Sequence, residues 1–262
     1  RNKARSRALT ASGPLVQLAS AEYNIFMSYG QSLSEGAETW PSLSKTPQSG
    51  ALMIGDHVDN QSQTSYSALG VDQFNPLVAN TISGGVPLSG PEEDALTPGS
   101  NAIGEPPIIG LANGFRSALS RRLLSEDGHR VVAMSSAQGG TTIEQLSKVN
   151  GQDGTNRYGG MLAGITLAKG LADAESATSA CPVVTWMQGE YDYEATYGST
   201  NTTRALYGAA LETLVADIKA DVPAITGQSL PPLIMMYQTG GAPWSMDLDT
   251  NGDPGLHVAM AE

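Results

Sequence analysis

Ser32 is the residue whose position most suggests chemistry. The apolar run Ile25 to Met27 is typical of a short buried strand, and it leads through Gly30 into Gln31 and Ser32. The glycine permits a sharp turn after the strand, and Ser32 stands where a helix could begin. A strand that ends in a glycine turn can hold a serine hydroxyl exposed and fixed, as a nucleophile requires. Taken alone, the pattern is more typical of an ordinary loop serine, and two later segments change that interpretation.

The two later segments supply hydrogen-bond donors. Acyl transfer needs a nucleophile, a base and donors for the oxyanion of the tetrahedral intermediate. Gly139 and Gly140 follow a third apolar run, and their N–H groups can face a crevice with no side chain in the way. Gln188 follows a fourth run and offers a neutral side-chain amide, and the N–H of Ser32 is a further donor. In isolation, the glycines also describe an ordinary turn and Gln188 a hydrogen-bonded loop end.

The elements that must position these residues alternate along the chain. Strands are predicted at 24–28, 51–55, 130–134, 182–187 and 232–237, and helices at 109–126, 143–149, 158–177 and 202–220. In the first long helix, the apolar stripe is Leu111, Phe115, Leu119 and Leu123. Continuous apolar strands separated by long helices predict an α/β protein with a parallel sheet covered on both faces. In such folds ligands bind beyond the carboxyl ends of the strands, where three polar segments can meet.

Charge and composition exclude several kinds of partner. The net charge is −12, and because the first seven residues carry four of the 14 Lys and Arg and no acid, the remainder carries 10 − 26 = −16. An acidic body repels nucleic acid and anionic membranes, so neither is an expected partner. No apolar run is long enough for a transmembrane segment, and because the basic start has no apolar core behind it, no secretory signal is expected there. The one cysteine, Cys181, excludes an internal disulfide and is expected to be a core residue.

The domain organisation is predicted to be simple. Residues 1–22 are a basic lead-in or linker that could serve as an arm for assembly, and residues 23–262 are one domain. Residues 56–107 are rich in Gly, Pro, Ser and Asn, and they are too many for an ordinary connection, which predicts a functional or partner-binding excursion.

Three blocks of sequence carry a resemblance to a known family. Gly30–Ser32, Gln138–Thr141 and Trp186–Asp192 resemble the successive blocks of the SGNH hydrolase superfamily. The similarity is greatest to its sialate O-acetylesterase-like branch, carbohydrate esterase family 6. That branch has Gly-Gln-Ser at the nucleophile and Gln-Gly-Glu where other members have Gly-x-Asn-Asp. The order and spacing match from about residue 23 to about residue 240.

The resemblance implies a fold, an activity and a set of roles. It implies a three-layer α/β/α sandwich with a five-stranded parallel, flavodoxin-like sheet, and a serine esterase that removes acetyl groups from a carbohydrate without a metal or cofactor. Ser32 would be the nucleophile, and Ser32 N–H, Gly140 N–H and Gln188 the oxyanion donors. The supporting residues would be Gln31, Gly139, Thr141, Glu190 and Asp192. For Glu190 and Asp192, a structural pair that holds the loop is an alternative of equal weight.

The family's final block, Asp-x-x-His, is not matched. There the histidine is the base and the aspartate orients it. The chain has His57, His129 and His257, and His257 lies in Asp253-Pro-Gly-Leu-His257, one residue too long. Either Asp253 and His257 are the pair with altered spacing, with Asp253 capping a helix, or residues 256–262 form an amphipathic helix that precedes a true pair beyond Glu262. The second explanation is the favoured one.

Two further features of the C-terminal part have alternatives. Oxygen-bearing side chains occupy alternate positions near Gly252, as at the start of a calcium loop: Asp247, Asp249, Asn251 and Asp253. The twelfth position of such a loop carries a bidentate glutamate, but here it is Val258. An acidic surface loop is therefore favoured over a calcium site. Trp244 is in a predicted loop near a strand end and is a candidate for stacking on a sugar ring.

The sequence therefore predicts a carbohydrate O-acetylesterase, with an acetylated carbohydrate as its partner. The rival interpretation is a glycan-binding or structural domain that keeps the fold without turnover, which the missing Asp-x-x-His favours. A third is an esterase or lipase for other acyl groups. Similar domains occur in bacteriophage tail fibres and spikes that deacetylate polysaccharides, and a virion, extracellular or periplasmic location is accordingly expected over a cytoplasmic one.

Overall fold

The secondary-structure elements follow the order that the sequence predicts. The computed structural model describes residues 21–121, 129–149, 154–192, 199–201 and 203–237. The strands are β1 (Tyr23–Gly30), β2 (Ala51–Ile54), β3 (Phe74–Pro76), β4 (Ile82–Ser83), β5 (Val86–Pro87), β6 (Arg130–Ser135), β7 (Ser179–Met187) and β8 (Leu233–Met236). The helices are α1 (Ser32–Glu35), α2 (Gly90–Asp94), α3 (Pro107–Arg121), α4 (Ile143–Leu146), α5 (Arg157–Ala174) and α6 (Arg204–Thr226), with a 3₁₀ turn at Glu190–Asp192.

The main sheet has six strands in the order β3-β2-β6-β1-β7-β8. All neighbouring strands from β2 to β8 run parallel, which confirms the predicted parallel sheet, whereas β3 pairs antiparallel with β2. The sixth strand was not predicted because it comes from the excursion at 56–107, which lacks periodicity. In the flavodoxin order, the second strand of the chain lies beside the first. Here β6 lies between β2 and β1, so the strand order differs from the predicted flavodoxin-like order.

The side chains of β1 alternate between two cores because successive residues of a strand point to opposite faces. Ile25, Met27 and Tyr29 belong to a core that α4, α5 and α6 cover. Phe26 belongs to a second core on the other face, which α3 covers. Helices therefore lie on both faces of the sheet, and the predicted three-layer arrangement is confirmed.

The ends and faces of two helices differ from the prediction. In α3 the buried side chains are at 108, 109, 112, 116 and 119, while Leu111 and Phe115 of the predicted stripe are only partly buried at its edge. Helix α6 was predicted to end at Ala220 but continues through Pro223 to Thr226, where Gly227 ends it in the left-handed conformation. Val222 is fully buried in the core, and this packing outweighs the cost of a proline in the last turns.

The excursion at 56–107 is bound closely to the rest of the protein by two glutamates. Glu93 is buried and accepts hydrogen bonds from Ser42 N (2.7 Å), Thr81 and Lys45. Glu105 accepts from the backbone N–H groups of residues 43 and 44, at 2.8 and 2.9 Å. These carboxylates satisfy backbone donors that a loop would otherwise leave unpaired. A role of the excursion in partner binding stays a prediction.

Two smaller predictions concern Cys181 and the helices. Cys181 lies in β7 and is fully buried in the core, as predicted. Among the described helices, none combines the length and apolarity that crossing a bilayer requires.

Candidate active site

The three polar segments singled out in the sequence lie side by side at one edge of the sheet. Strands β6, β1 and β7 are parallel neighbours, with Ser28 opposite both Ser135 and Thr185. Beyond the strand ends, Gln31 N donates to Met187 O (2.9 Å) and Gln138 N donates to Gly30 O (3.0 Å). Backbone hydrogen bonds therefore join the segment of Ser32 directly to the segments of Gly139 and Gln188.

The turn between β1 and Ser32 requires a glycine. Gly30 has a φ of +144°, and a Cβ at this position would lie 2.7 Å from the carbonyl carbon of Met187. That contact is far inside the ordinary separation, and the atom it meets is backbone, which cannot rotate away. The close approach of Gly30 to β7 thus fixes where the chain leaves the sheet and where α1 starts.

Ser32 is the first residue of α1 and is partly buried, and the expected helix start at this residue is confirmed. No described residue makes a hydrogen bond to its hydroxyl, and none accepts its backbone N–H. The N–H is unpaired because the first residues of a helix have no acceptor within the helix. Ser32 therefore presents both an available hydroxyl and an available donor.

Buried hydroxyl groups hold α1 on the sheet. Ser34 Oγ lies 2.6 Å from Ser28 Oγ, which also accepts from Thr185 Oγ1 (3.1 Å). Ser135 Oγ donates to Ser34 O (3.2 Å). All four side chains are buried, so the strands on both sides of β1 and β1 itself contribute polar contacts to a helix of only four residues. These contacts fix Ser32 relative to the sheet.

The two glycines adjoin Ser32 but differ in their hydrogen bonds. A Cβ placed on Gly139 would lie 4.0 Å from Ser32 Cβ, so this loop contacts the serine. Gly139 N donates to Glu35 Oε2 (2.9 Å) and is thereby engaged. Gly140 has a φ of +68°, the left-handed conformation that favours glycine, and no described residue accepts its N–H. Of the two, Gly140 alone has a donor available for a ligand.

Gln188 has partners for its whole side chain. Its Nε2 donates to Thr141 O (3.0 Å) and to Asp192, and its Oε1 accepts from Tyr207 OH (2.8 Å). The side chain is fully buried. In this arrangement the amide is a structural link between the loops after β6 and β7, and serving as an oxyanion donor would require it to leave one of these partners. The predicted oxyanion role of Gln188 therefore stays a prediction, whereas the alternative of a hydrogen-bonded loop end describes the observed contacts.

Asp192 and Glu190 connect the loop after β7 to its surroundings. Asp192 is fully buried, and it accepts from Ile143 N (2.9 Å), Ser199 Oγ (2.6 Å) and Gln188. Burial raises the pKa of Asp192 to about 7, although these three donors favour its charged form and lower the pKa. Glu190 accepts from Gln31 Nε2 and from Tyr237 OH. These contacts are those expected of the structural alternative, and the two residues also border the segment that precedes Ser32.

Sequence reasoning missed two carboxyl groups near Ser32. Glu35 is three residues after Ser32, and its Oε2 accepts from Gly139 N. Asp59 follows β2, is buried, and has an Oδ1 atom with no partner among the described residues. Burial raises the pKa of both, and the nearby Glu35 raises that of Asp59 further. A helix that starts at Ser32 places Glu35 on the same side as the serine, and that spacing is the signal that could have identified it.

Tyr207 was also missed. It lies on α6, is buried, and donates to both Gln188 O (2.9 Å) and Gln188 Oε1 (2.8 Å). No motif marks a tyrosine near the start of a helix as a partner of a distant loop, so nothing in the sequence singled it out.

The described histidines do not supply a base at this site. His57 is buried, its Nδ1 accepts from Asp59 N (3.1 Å), and its Nε2 lies 2.9 Å from Asn80 O. Both ring nitrogens are thereby engaged. Burial lowers the pKa of His57 to about 4, so the imidazole is neutral near pH 7. His129 precedes β6 at the opposite edge of the sheet.

The remaining predicted residues lie outside the described ranges: Trp244, Asp247, Asp249, Asn251, Asp253 and His257. Within the described ranges, no group of three or more His, Cys, Asp or Glu side chains is arranged to hold a metal ion. Trp186 is buried in the core, and its indole N–H donates to Tyr207 OH (3.3 Å).

A family model matches the chain. The model described as "Carbohydrate esterase, sialic acid-specific acetylesterase" matches residues 93–247, which is more than half of the 262 residues. The matched region contains the segments of Gly139 and Gln188, and it begins after Ser32. No curated protein matches the sequence.

Several solved structures are also similar over most of the chain. One is a protein from Arabidopsis thaliana (14% identity, 91% of this chain and 92% of that one, TM-score 0.44). Others are a carbohydrate acetylesterase from Xanthomonas citri (14%, 91% and 47%, 0.43) and NanS (15%, 90% and 83%, 0.35). These likenesses are too weak to assign an activity, and the family assignment rests on the family model.

Proposed function

Because the chain belongs to the carbohydrate esterase family of sialic acid-specific acetylesterases, we propose that it deacetylates a carbohydrate with Ser32 as its nucleophile. The family identifies an esterase of acetylated sugars. The serine mechanism and the residues that carry it are the proposal made here.

The proposed reaction proceeds by two displacements. Ser32 Oγ gives its proton to a base and attacks the acetyl carbonyl carbon, and the carbonyl oxygen becomes an oxyanion. The oxyanion accepts hydrogen bonds from Ser32 N–H and Gly140 N–H. When the intermediate collapses, the bond to the sugar oxygen breaks and that oxygen takes the proton from the base. Water then attacks the acetyl-enzyme by the same route, which releases acetate and frees Ser32.

One observation supports the proposal most. At the carboxyl end of the central strand, next to a glycine turn, the hydroxyl of Ser32 has no hydrogen-bond partner among the described residues, and two backbone donors beside it have no acceptor among them either. Backbone N–H groups that are already fixed are suited to oxyanion stabilisation because they need not reorganise during the reaction. Loss of one such donor typically costs about 100- to 1000-fold in rate.

The base in this proposal is a histidine beyond the described residues. It is either His257, oriented by Asp253, or a histidine that follows Glu262 in a longer protein. His57 does not serve, because both of its ring nitrogens are engaged and the lowering of its pKa by burial makes it a weak base. The variant His257→Gln tests the first of these: loss of acetate release would identify His257 as the base, and full retention would exclude it.

The proposal is tested by acetate release from an O-acetylated sialic acid, with acetylated xylan as a second substrate. The test compares the protein with Ser32→Ala and with Ser120→Ala, a control at an exposed position near the end of α3. We expect Ser32→Ala to abolish acetate release and Ser120→Ala to leave it unchanged. Turnover that persists in Ser32→Ala would refute Ser32 as the nucleophile.

The rival interpretation gives a different result in the same assay. A glycan-binding or structural domain binds the acetylated sugar but releases no acetate, with or without Ser32. The predicted place on a phage tail fibre or spike, and assembly through residues 1–22, stay predictions.

A further inference from the structure

Glu35 connects α1 to the loop that follows β6. It is the last residue of α1, one helical turn after Ser32, and its Oε2 atom accepts the backbone N–H of Gly139 at 2.9 Å. The carboxyl group is largely buried, and burial raises its pKa. A Cβ on Gly139 would lie 2.9 Å from this oxygen and 4.0 Å from Ser32 Cβ, so the glycine lies next to both the glutamate and the serine.

The loop from Gln138 to Thr142 is held at several points, and Glu35 provides the one on the side of Ser32. Gln138 N donates to Gly30 O (3.0 Å), Thr141 O accepts from Gln188 Nε2 (3.0 Å), and Thr142 N donates to Gln145 Oε1 (2.9 Å). Between these points lie the two glycines, which have the least restricted backbone of any residue. Two side-chain contacts hold this part of the loop: Thr141 Oγ1 donates to Gln138 O within the loop (2.7 Å), and Glu35 accepts from Gly139 N and joins the loop to α1.

We propose that Glu35 is a positioning residue for the acetyl-ester reaction, which holds Gly139 against α1 so that the N–H of Gly140 stays directed at the oxyanion beside Ser32. This inference rests on the proposed function of Ser32. Glu35 acts through the backbone and does not itself contact the reacting atoms. Because α1 carries both Ser32 and Glu35, the nucleophile and the loop move as one unit.

The chemistry of the contact requires an acceptor and does not require a charge. Burial favours the neutral form of Glu35, and Asp59 is the other buried carboxyl group beside it. A carboxyl oxygen accepts an N–H in either state, and so does the oxygen of a glutamine amide of the same length. The proposal therefore predicts that glutamine replaces Glu35 and that residues without an acceptor do not.

The test measures kcat and KM for p-nitrophenyl acetate and for the acetylated sugar with Glu35→Ala, Glu35→Met and Glu35→Gln. Without the acceptor the glycine turn is free to move, so we expect kcat of Glu35→Ala to fall about 10- to 100-fold while KM stays within about two-fold. Glu35→Gln should retain kcat to within about three-fold of the unchanged protein. If Glu35→Ala does not fold, Glu35→Met, which keeps the volume without the acceptor, is judged by the same criterion.

Glu92→Ala is the matched control, since Glu92 also accepts a backbone N–H (Ser89 N, 2.8 Å) but lies on α2, within the excursion. It should leave kcat unchanged. Three results would each overturn the inference. They are an unchanged kcat in Glu35→Ala and Glu35→Met, a rise in KM with no change in kcat, and a fall in kcat of Glu35→Gln as large as that of Glu35→Ala. Ser32→Ala, measured in parallel, separates the two proposals: if it keeps its activity, the proposed function fails, whatever Glu35 does.

Discussion

Removing the hydroxyl of Tyr207 is predicted to destabilise the protein far more than a typical Tyr→Phe change. The hydroxyl donates to Gln188 Oε1 (2.8 Å) and Gln188 O (2.9 Å), and it accepts from the indole N–H of Trp186 (3.3 Å). All three side chains are buried, so water cannot replace the lost partner. Tyr207→Phe therefore leaves at least one buried acceptor and one buried donor unpaired.

The expected magnitude follows from the cost of these orphaned groups. An unsatisfied buried polar group costs about 1–3 kcal/mol. The hydrogen bond from the indole N–H is long, so its loss should cost near the low end of this range, while the loss of the partner of Gln188 Oε1 should cost more. Together they give a loss of about 2–4 kcal/mol in the free energy of unfolding. Urea denaturation at pH 7, followed by circular dichroism, measures the difference directly.

Tyr158→Phe is the matched control for this prediction. Tyr158 is also buried, but its hydroxyl donates to Asp221 (2.9 Å), whose carboxylate keeps its contact with Lys148 (2.8 Å). Because no buried group is left alone, its loss should be below about 1 kcal/mol. If Tyr207→Phe lies within about 0.5 kcal/mol of the unchanged protein, or costs no more than Tyr158→Phe, the role assigned to the hydroxyl is wrong.

Three further predictions concern the same end of the sheet. Gly30→Ala places a Cβ 2.7 Å from the carbonyl carbon of Met187 at a φ of +144°, and it should cost more than about 4 kcal/mol or prevent folding, as soluble yield and urea denaturation will show. Gly140→Ala puts a side chain at a φ of +68°, at a cost of about 1–2 kcal/mol. Because alanine keeps the N–H and the strain changes its direction, kcat for p-nitrophenyl acetate should fall, and an unchanged kcat would contradict the requirement for glycine at this position. Burial raises the pKa of Asp192 to about 7, so its contribution to stability is fully present below its unfolded value of 3.8 and is lost as the pH rises through about 7. The free energy of unfolding measured from pH 4 to 8, relative to Asp192→Asn, should fall by at most about 4 kcal/mol, and a difference that rises with pH would refute the assignment.

The parts of the fold that could be predicted are those with strong periodicity. The runs around Ile25, Val132 and Val184 are apolar and short, and all three are strands of the central sheet. Their parallel direction followed from the long helices between them, and the convergence of their polar ends followed from the parallel direction. Ser32 and the two glycines could therefore be placed together before any coordinates were considered.

Other parts could not be predicted because long-range contacts determine them. Phe74 to Pro76 form a strand only because Ala51 to Ile54 provide an edge for pairing. The amide of Gln188 has a donor's chemistry, but it is held by Asp192, in the same loop, and by Tyr207, which is 19 residues away and belongs to no motif. The side-chain partners of a buried polar group depend on how several elements pack together, and this packing cannot be predicted from the local sequence pattern.

The position of β1 has a consequence for how the protein opens. Every residue of β1 is buried, and the strand is paired on both sides, by β6 and by β7. Fraying that starts at either margin must detach other strands before it exposes the amides that precede Ser32. In deuterium labelling of the native protein, the interior amides of β1 should therefore be among the last to exchange. The strand end that precedes Ser32 should stay folded in every partial opening that leaves the middle of the sheet intact.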